Sequence, residues 1–238
     1  NGFSCGEVTR VAPNDPSSWF LSYGKLDGLP ERPTSLVLHS WDDAGWRYFS
    51  KAYEGQTGMT VAGVSQKVMD RYANWIRENG HVNGGVLPPP VTEFCMAKGQ
   101  NDPQGRVVVG WMGRPLEDKG LMTLPYLLAE NPRFIVRAWT GAETAGLDYT
   151  QRVQGEAMEA VMKLARKLGV EDRLDIRPLD FNALSYRHRL EGCHVLLGNS
   201  RKEGFLLTAA EALSCGIPVV VTKTCGIADF IKGGYNGY

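Results

Sequence analysis

From about residue 105 onward the apolar positions fall into two alternating periods. Residues 106–113, RVVVGWMG, form a continuous apolar run closed by glycine, the pattern of a strand buried on both faces. KGLMTLPYLLAENP then reads as a helix, with Pro125 in its first turns, where a missing N–H is tolerated, and Asn131-Pro132 as its stop. RFIVRAWTG predicts a second strand. In YTQRVQGEAMEAVMKLARKLG the positions Val153, Ala157, Ala160, Val161, Leu164 and Leu168 recur at helical spacing, and Gly169 ends the helix. RLDIRPL predicts a third strand, NALSYRHRLEGC a short helix capped by Asn182, HVLLGNS a fourth strand, GFLLTAAEALSCG a helix and IPVVVTK a fifth strand. Strands alternating with helices predict βαβ units wound into a doubly wound parallel sheet. Ligands of such sheets bind beyond the carboxyl ends of the strands. Here those ends carry WMGRP, AWTGAE, RPLDF, GNSRKEG and VTKTCG.

The preceding residues differ. Residues 1–34 are rich in Pro, Gly, Ser and Asp and show no clear period. TSLVLHSWDD (34–43) predicts a strand ending at His39, and MTVAGVS (59–65) another. Ser65 caps a helix, QKVMDRYANWIRENG, with Val68, Tyr72, Trp75 and Ile76 on one face and Gly80 as its stop. The triple proline of VLPPPVTEF is stiff and continues neither helix nor central strand, so it marks a linker. The expected organisation is a partial N-terminal domain over 1–90, a linker over 91–104 and a second domain over 105–238.

Composition narrows the function classes. Lys plus Arg and Asp plus Glu number 26 each, so there is no basic excess of the kind a nucleic-acid binder carries. A hydrophobic content of 43% suits a globular chain with a real core. No apolar run reaches membrane-spanning length, and no charged-then-apolar signal opens the chain. The five cysteines, Cys5, Cys95, Cys193, Cys215 and Cys225, lack CxxC spacing and read as reduced, buried side chains of a cytoplasmic protein.

Two segments carry candidate chemistry. In GRPLEDKG, Gly113 permits a tight turn after the first strand of the second domain, and Arg114 and Lys119 sit beside a helix start. Two cations with free backbone N–H groups suit a diphosphate. Alone, the pair reads more readily as two solvated surface cations. In NSRKEGFLLTAAEALSCG, Glu203 precedes a helix start beside Gly204. It either caps the helix or accepts hydrogen bonds from ligand hydroxyls, and the amides from Gly204 to Leu207 suit phosphate. Glu211 lies among Ala209, Ala210, Ala212 and Leu213. A carboxylate buried there without a partner costs several kcal/mol, roughly, so it lies at the helix edge, pairs with a cation or meets a ligand such as a ribose diol. Either glutamate alone is structural in character. The cationic pair and the Glu-x7-Glu together converge on one end of one sheet.

The segments VGWMGRPLEDKG and GNSRKEGFLLTAAEALSCGIPVVVTKTCGIADFIKGGYNG, with LVLHS, VAGVS and VLPPPVTEF upstream, resemble the retaining glycosyltransferases of family 4 (group 1), which have the GT-B fold. The match runs in the family's order over roughly residues 34–238, and the Glu-x7-Glu followed by Gly-Ile-Pro-Val-Val is its specific part. The resemblance implies an α/β chain with two Rossmann-like doubly wound parallel-sheet domains, the N-terminal one incomplete. It also implies a hexosyl transfer from a UDP- or GDP-sugar. Arg114 and Lys119 would then hold the diphosphate, and Glu211 the ribose. Glu203 would contact sugar hydroxyls, with Gly113, Gly204, Phe205, Leu206 and Leu207 lining the donor. His39 would face the donor sugar across the interdomain cleft, although a satisfied interior histidine is the other reading of that residue. No Asp-x-Asp motif is present, so the expected reaction needs no metal or other cofactor; the cations and helix amides would stabilise the departing diphosphate.

Three positions depart from the family pattern. The linker Asn-Gly is PPP here, the second glycine of Glu-Gly-Phe-Gly is Leu206, and Asp229 stands where the family usually has Glu. The first domain's glycine-rich opening loop and the family's last strand and C-terminal helices are not visible, so the expectation is a part of a larger protein, or a chain completed by a second one. The alternative reading is a non-catalytic nucleotide-sugar-binding or regulatory module needing another chain to complete the cleft. A sugar-nucleotide epimerase of the same fold is disfavoured by the Glu-x7-Glu segment. Expected partners are the nucleotide-sugar donor and an acceptor that is a glycan, lipid, protein or small molecule, with no nucleic acid. The expected location is the cytoplasm, with peripheral contact at the inner membrane surface open to such enzymes.

Overall fold

A computed structural model describes residues 20–22, 35–39, 51, 53–91, 104–142, 148–179 and 190–238. The chain divides into two compact units. One comprises Asn1–Pro90 with Glu203–Leu206 and Cys225–Asp229; the other comprises Val91–Lys202, Leu207–Thr224 and Phe230–Tyr238.

The first unit is built on a parallel sheet of β1 (Phe20–Ser22), β2 (Ser35–Leu38), β3 (Thr60–Gly63) and β4 (Val82–Val86), in that order. The SLVL of β2 is buried throughout, as expected of a strand covered on both faces. Helix α1 (Gln66–Glu78) follows β3. Its N-terminal cap is Ser65, whose hydroxyl accepts the Val68 N–H at 3.3 Å. The helix buries Val68, Met69, Tyr72, Trp75 and Ile76 on one face. It stops before Gly80, whose φ of 64° favours glycine.

Strands β1 and β4 are not among the predicted elements. The first is three residues long, too short for a period to show. The second, VNGGV, has glycines where alternation would appear. A Cβ at Gly84 would stand 3.0 Å from Thr60 Cγ2 and 3.2 Å from the Val61 carbonyl oxygen, so β4 packs on β3 more tightly than a side chain there readily fits.

The second unit carries a five-stranded parallel sheet in the order β7-β6-β5-β8-β9. The strands are β5 (Val107–Met112), β6 (Phe134–Ala142), β7 (Leu174–Leu179), β8 (Val195–Gly198) and β9 (Val219–Val221). Helices α2 (Leu124–Glu130), α3 (Asp148–Lys167) and α4 (Leu207–Ser214) connect them. One core cluster joins Val109, Trp111, Leu121, Leu124, Leu128, Val136, Ala138, Val161, Ala165, Val170 and Leu174. On α3 the predicted face is observed at Val161 and Leu168, with Ala157 and Leu164 half-buried, and differs at one position. Ala160 is exposed, and Val161 and Ala165 are the buried positions, flanked by Met158, Met162 and Leu168. The KGLMT segment is not helical throughout. It forms 3-10 turns at Glu117–Lys119 and Leu121–Thr123, and α2 starts only at Leu124, with Pro125 in its first turn. Arg173, unremarked in the sequence, donates to the carbonyls of Leu128, Asn131 and Phe134 at 2.8, 3.0 and 3.2 Å and closes the end of α2.

The predicted Asn182-capped helix, the bulk of the linker, Cys5 and Cys95 lie outside the described residues. Cys193, Cys215 and Cys225 are buried thiols, and burial pushes that of Cys193 up to about 11. Among the described residues no helix is long and apolar enough to cross a membrane.

Candidate active site

In the second unit, β5, β6 and β7 run outward in one direction from β5, and β8 and β9 in the other. The order reverses between β5 and β8, which is where an open parallel sheet leaves a crevice beyond its carboxyl ends. The two loops leaving those strands are 113–123 and 199–202, and they are tied together. The side chain of Asn199 accepts the Trp111 indole N–H at 2.8 Å and donates to the Gly120 carbonyl at 3.0 Å and to Thr123 Oγ1 at 2.6 Å. The Arg201 N–H donates to the Asp118 carbonyl at 2.6 Å, and its guanidinium to Glu117 at 3.0 Å. Gly120 has φ 80°, and a Cβ there would stand 2.5 Å from Asn199 Nδ2, so only glycine allows both the turn and the contact.

This lacing positions the predicted cation. The Lys119 side chain is 14% exposed, and its ammonium lies 3.4 Å from the Asp118 carboxylate and 3.5 Å from the Lys202 carbonyl. It therefore points toward the loop that leads into Glu203. Arg114, by contrast, is exposed, on the turn opened by Gly113. Glu211 is half-buried on α4, with its carbonyl accepting from Cys215 N–H at 3.2 Å and Ser214 Oγ at 2.7 Å. Leu207 is the first residue of that helix. The second unit thus holds Gly113, Arg114, Lys119, Leu207 and Glu211.

The remaining predicted residues, His39, Glu203, Gly204, Phe205 and Leu206, belong to the first unit. His39 directly follows β2. Burial lowers its imidazole pKa from 6.5 to about 4, so the ring is neutral at physiological pH. A Cβ at Gly204 would overlap the His39 carbonyl oxygen, and one at Gly226 would overlap the Gly204 carbonyl oxygen. Both glycines are there because backbone meets backbone with no room for a side chain. The turn 203–205 is paired with residues 225–227: Gly226 N–H donates to the Glu203 carbonyl at 3.0 Å and Ile227 N–H to the Phe205 carbonyl at 2.8 Å. Asp229 pairs with Lys67 of α1 at 2.9 Å.

Leu206 has φ 78°, alone among the described non-glycine residues in the left-handed region. The backbone therefore keeps a glycine-like turn although the side chain is leucine.

Two residues that hold these turns were only partly legible in the sequence. Ser65 was legible as a helix cap, but not its bond to Gly204, where its hydroxyl donates to the carbonyl at 2.7 Å. Asn199 gave only one signal, a polar residue directly beyond a fully apolar strand.

Comparisons with known proteins give the family and the fold. The family model described as Family 4 Glycosyltransferase in conflict systems matches residues 59–236. A D-inositol 3-phosphate glycosyltransferase of Streptomyces bingchenggensis is 32% identical over 124 residues, 49% of this chain and 25% of that protein. Among solved structures, a sucrose-phosphate synthase from Thermosynechococcus elongatus has a TM-score of 0.66 at 19% identity, over 85% of this chain and 53% of its own. Anabaena HepE in complex with UDP and glucose has a TM-score of 0.64 at 19% identity, over 86% of this chain and 56% of its own. These likenesses give the fold as GT-B, and the chain spans less than two thirds of the length of each of these proteins.

Proposed function

Because the chain belongs to the Family 4 glycosyltransferases of conflict systems, we propose that it binds a UDP- or GDP-sugar and transfers the sugar to an acceptor with retention of configuration and without a metal ion. In this reading Arg114 and Lys119 take the diphosphate, and Glu211 takes the ribose diol. Glu203 and the amides of Phe205 and Leu206 take the sugar hydroxyls, and neutral His39 faces the sugar as a hydrogen-bonding group. The bond from the anomeric carbon to the diphosphate oxygen breaks, and its electron pair leaves with the nucleoside diphosphate. The acceptor oxygen bonds to the same face of that carbon, and its proton passes to the departing phosphate oxygen. Arg114 and Lys119 stabilise the charge developing on that oxygen, which is the electrostatic part of the catalysis. The acceptor is a glycan, lipid or small molecule, and a second chain completing the fold is part of the proposal.

The observation that carries this reading is the lacing of the two loops at the reversal point between β5 and β8. It brings the Lys119 ammonium 3.5 Å from the Lys202 carbonyl, one residue before Glu203. Isothermal titration of UDP, GDP and ADP into the chain tests it, with Lys119→Ala and Glu211→Ala as controls. One nucleotide is expected to bind with micromolar affinity and to lose about tenfold or more in each variant, since each removes a charge-assisted contact. Absence of binding by all three overturns the reading. A turnover screen with sugars of the nucleotide that binds then separates an enzyme from a binding module.

A further inference from the structure

We propose that Ser65 is a positioning residue that sets the direction of the Phe205 amide for the donor sugar. The inference rests on the glycosyltransferase reading above, and deepens it by one residue that reading does not include.

Three successive carbonyls of the turn, those of Glu203, Gly204 and Phe205, each accept a hydrogen bond within the first unit. Gly226 N–H holds the first at 3.0 Å and Ile227 N–H the third at 2.8 Å. The Ser65 hydroxyl holds the middle one at 2.7 Å. The described chain contains no cis peptide. In a planar trans peptide the C=O and the following N–H point in opposite directions. A grip on the Gly204 carbonyl therefore turns the Phe205 N–H away from Ser65, and the grips on either side do the same for the Gly204 and Leu206 amides. Three N–H directions are fixed, two by backbone groups and one by a side chain.

Ser65 is fixed in turn. It is fully buried, and its oxygen accepts the Val68 N–H while its proton goes to Gly204. One hydroxyl thus joins the cap of α1 to the turn that carries Glu203.

The test separates this role from a merely structural one. Glycine is nearly as good a helix cap as serine, so Ser65→Gly removes the grip on Gly204 with little harm to α1. Where it lowers the folded fraction, Ser65→Cys takes its place, keeping the volume and weakening the donor. UDP, UDP-glucose, GDP and GDP-mannose are titrated into the parent and the variant. At the same time the Phe205 amide resonance of ¹⁵N-labelled chain is followed without ligand. The expected result is that the variant keeps its nucleotide affinity within about twofold and loses about tenfold for the nucleotide sugar, with the Phe205 amide shifted. Equal losses for nucleotide and nucleotide sugar, no loss for either, or an unmoved Phe205 resonance each overturn the inference. If the parent binds none of the four, the functional reading falls and takes this inference with it. The Phe205 resonance then still reports whether the grip exists.

Discussion

Gly226→Ala is the sharpest stability test of how the turn is held. The added Cβ would overlap the Gly204 carbonyl oxygen and stand 2.5 Å from Ser65 Oγ and 2.6 Å from Ser65 Cβ. None of these is the loose end of a flexible side chain. The first is backbone, and Ser65 is fully buried with its hydroxyl bonded on both sides. Relief requires the turn itself to move. Overpacking of this kind costs ~1–3 kcal/mol. Displacing the Gly204 carbonyl also forfeits the hydrogen bond from Ser65, about 1 kcal/mol net. The sum is about 2–4 kcal/mol, which for a chain of this size lowers the thermal midpoint by roughly 5–15 °C. Gly155→Ala is the internal control. Gly155 lies exposed within α3 with nothing within 4 Å of the new methyl. There alanine stabilises by about 0.5–1 kcal/mol, raising the midpoint by a few degrees. Scanning calorimetry on the parent and both variants decides the matter. A Gly226→Ala midpoint equal to the parent's, or the same sign of shift in both variants, would refute the reasoning from close backbone approach.

Other consequences follow from single contacts. Asn199→Ala strands the Trp111 indole N–H, whose residue is 2% exposed, and should cost about 1–3 kcal/mol while weakening nucleotide binding through the loosened Lys119 loop; thermal melting and titration read both effects. Unfolded His39 takes up its proton near pH 6.5, but the native ring only near 4, so stability is full above 6.5 and falls as the pH drops toward 4, by up to about 3 kcal/mol. Urea midpoints across that window should lose part of their slope in His39→Gln, with His81, also lowered by burial, supplying a remainder; an equally steep slope in the variant counts against the assignment. The Lys67–Asp229 pair is partly exposed, so a double-mutant cycle should give a coupling of about 0.2–1 kcal/mol that shrinks in 1 M salt, and a larger, salt-insensitive coupling would contradict it.

What was legible in the sequence is what depends on near neighbours along the chain. The strands β5, β8 and β9 are apolar runs because a parallel sheet covered on both faces leaves no polar alternation, while β7, at the sheet's edge, shows the alternation of LDIRPL, with Asp175 and Arg177 paired on its open side. Ser65 and Gly80 bound α1 because caps act within one turn of the helix. On α3 the predicted Val161 and Leu168 are at the core, and only Ala160 is replaced by Ala165, since the two alanines are equally apolar and only packing chooses between them. The strand β4 was hidden by Gly84, which packs closely on β3, and Gly85, which stands at φ 77°; together they erase the period. At the site, residue types were readable and partnerships were not. Nothing local says that Asn199 will bind Trp111, 88 positions away, or that Ser65 will bind Gly204, 139 positions away.

Leu206 shows the same division from the other side. By local preference a leucine avoids the left-handed region, at a cost of roughly 1–2 kcal/mol, and a glycine at that position would carry no such cost. The backbone nevertheless stands at φ 78°. The preceding carbonyls leave it little choice, because those of Glu203, Gly204 and Phe205 are all held from residues remote in sequence. Long-range contacts over-determine the turn, and local strain is the result. A rule that holds along the rest of the described chain fails at one residue, Leu206, which lies between Glu203 and Glu211, the two glutamates proposed to hold the donor. The geometry of the Glu203 turn is thus set by the long-range grips, that of Ser65 among them, and not by the residue type at 206.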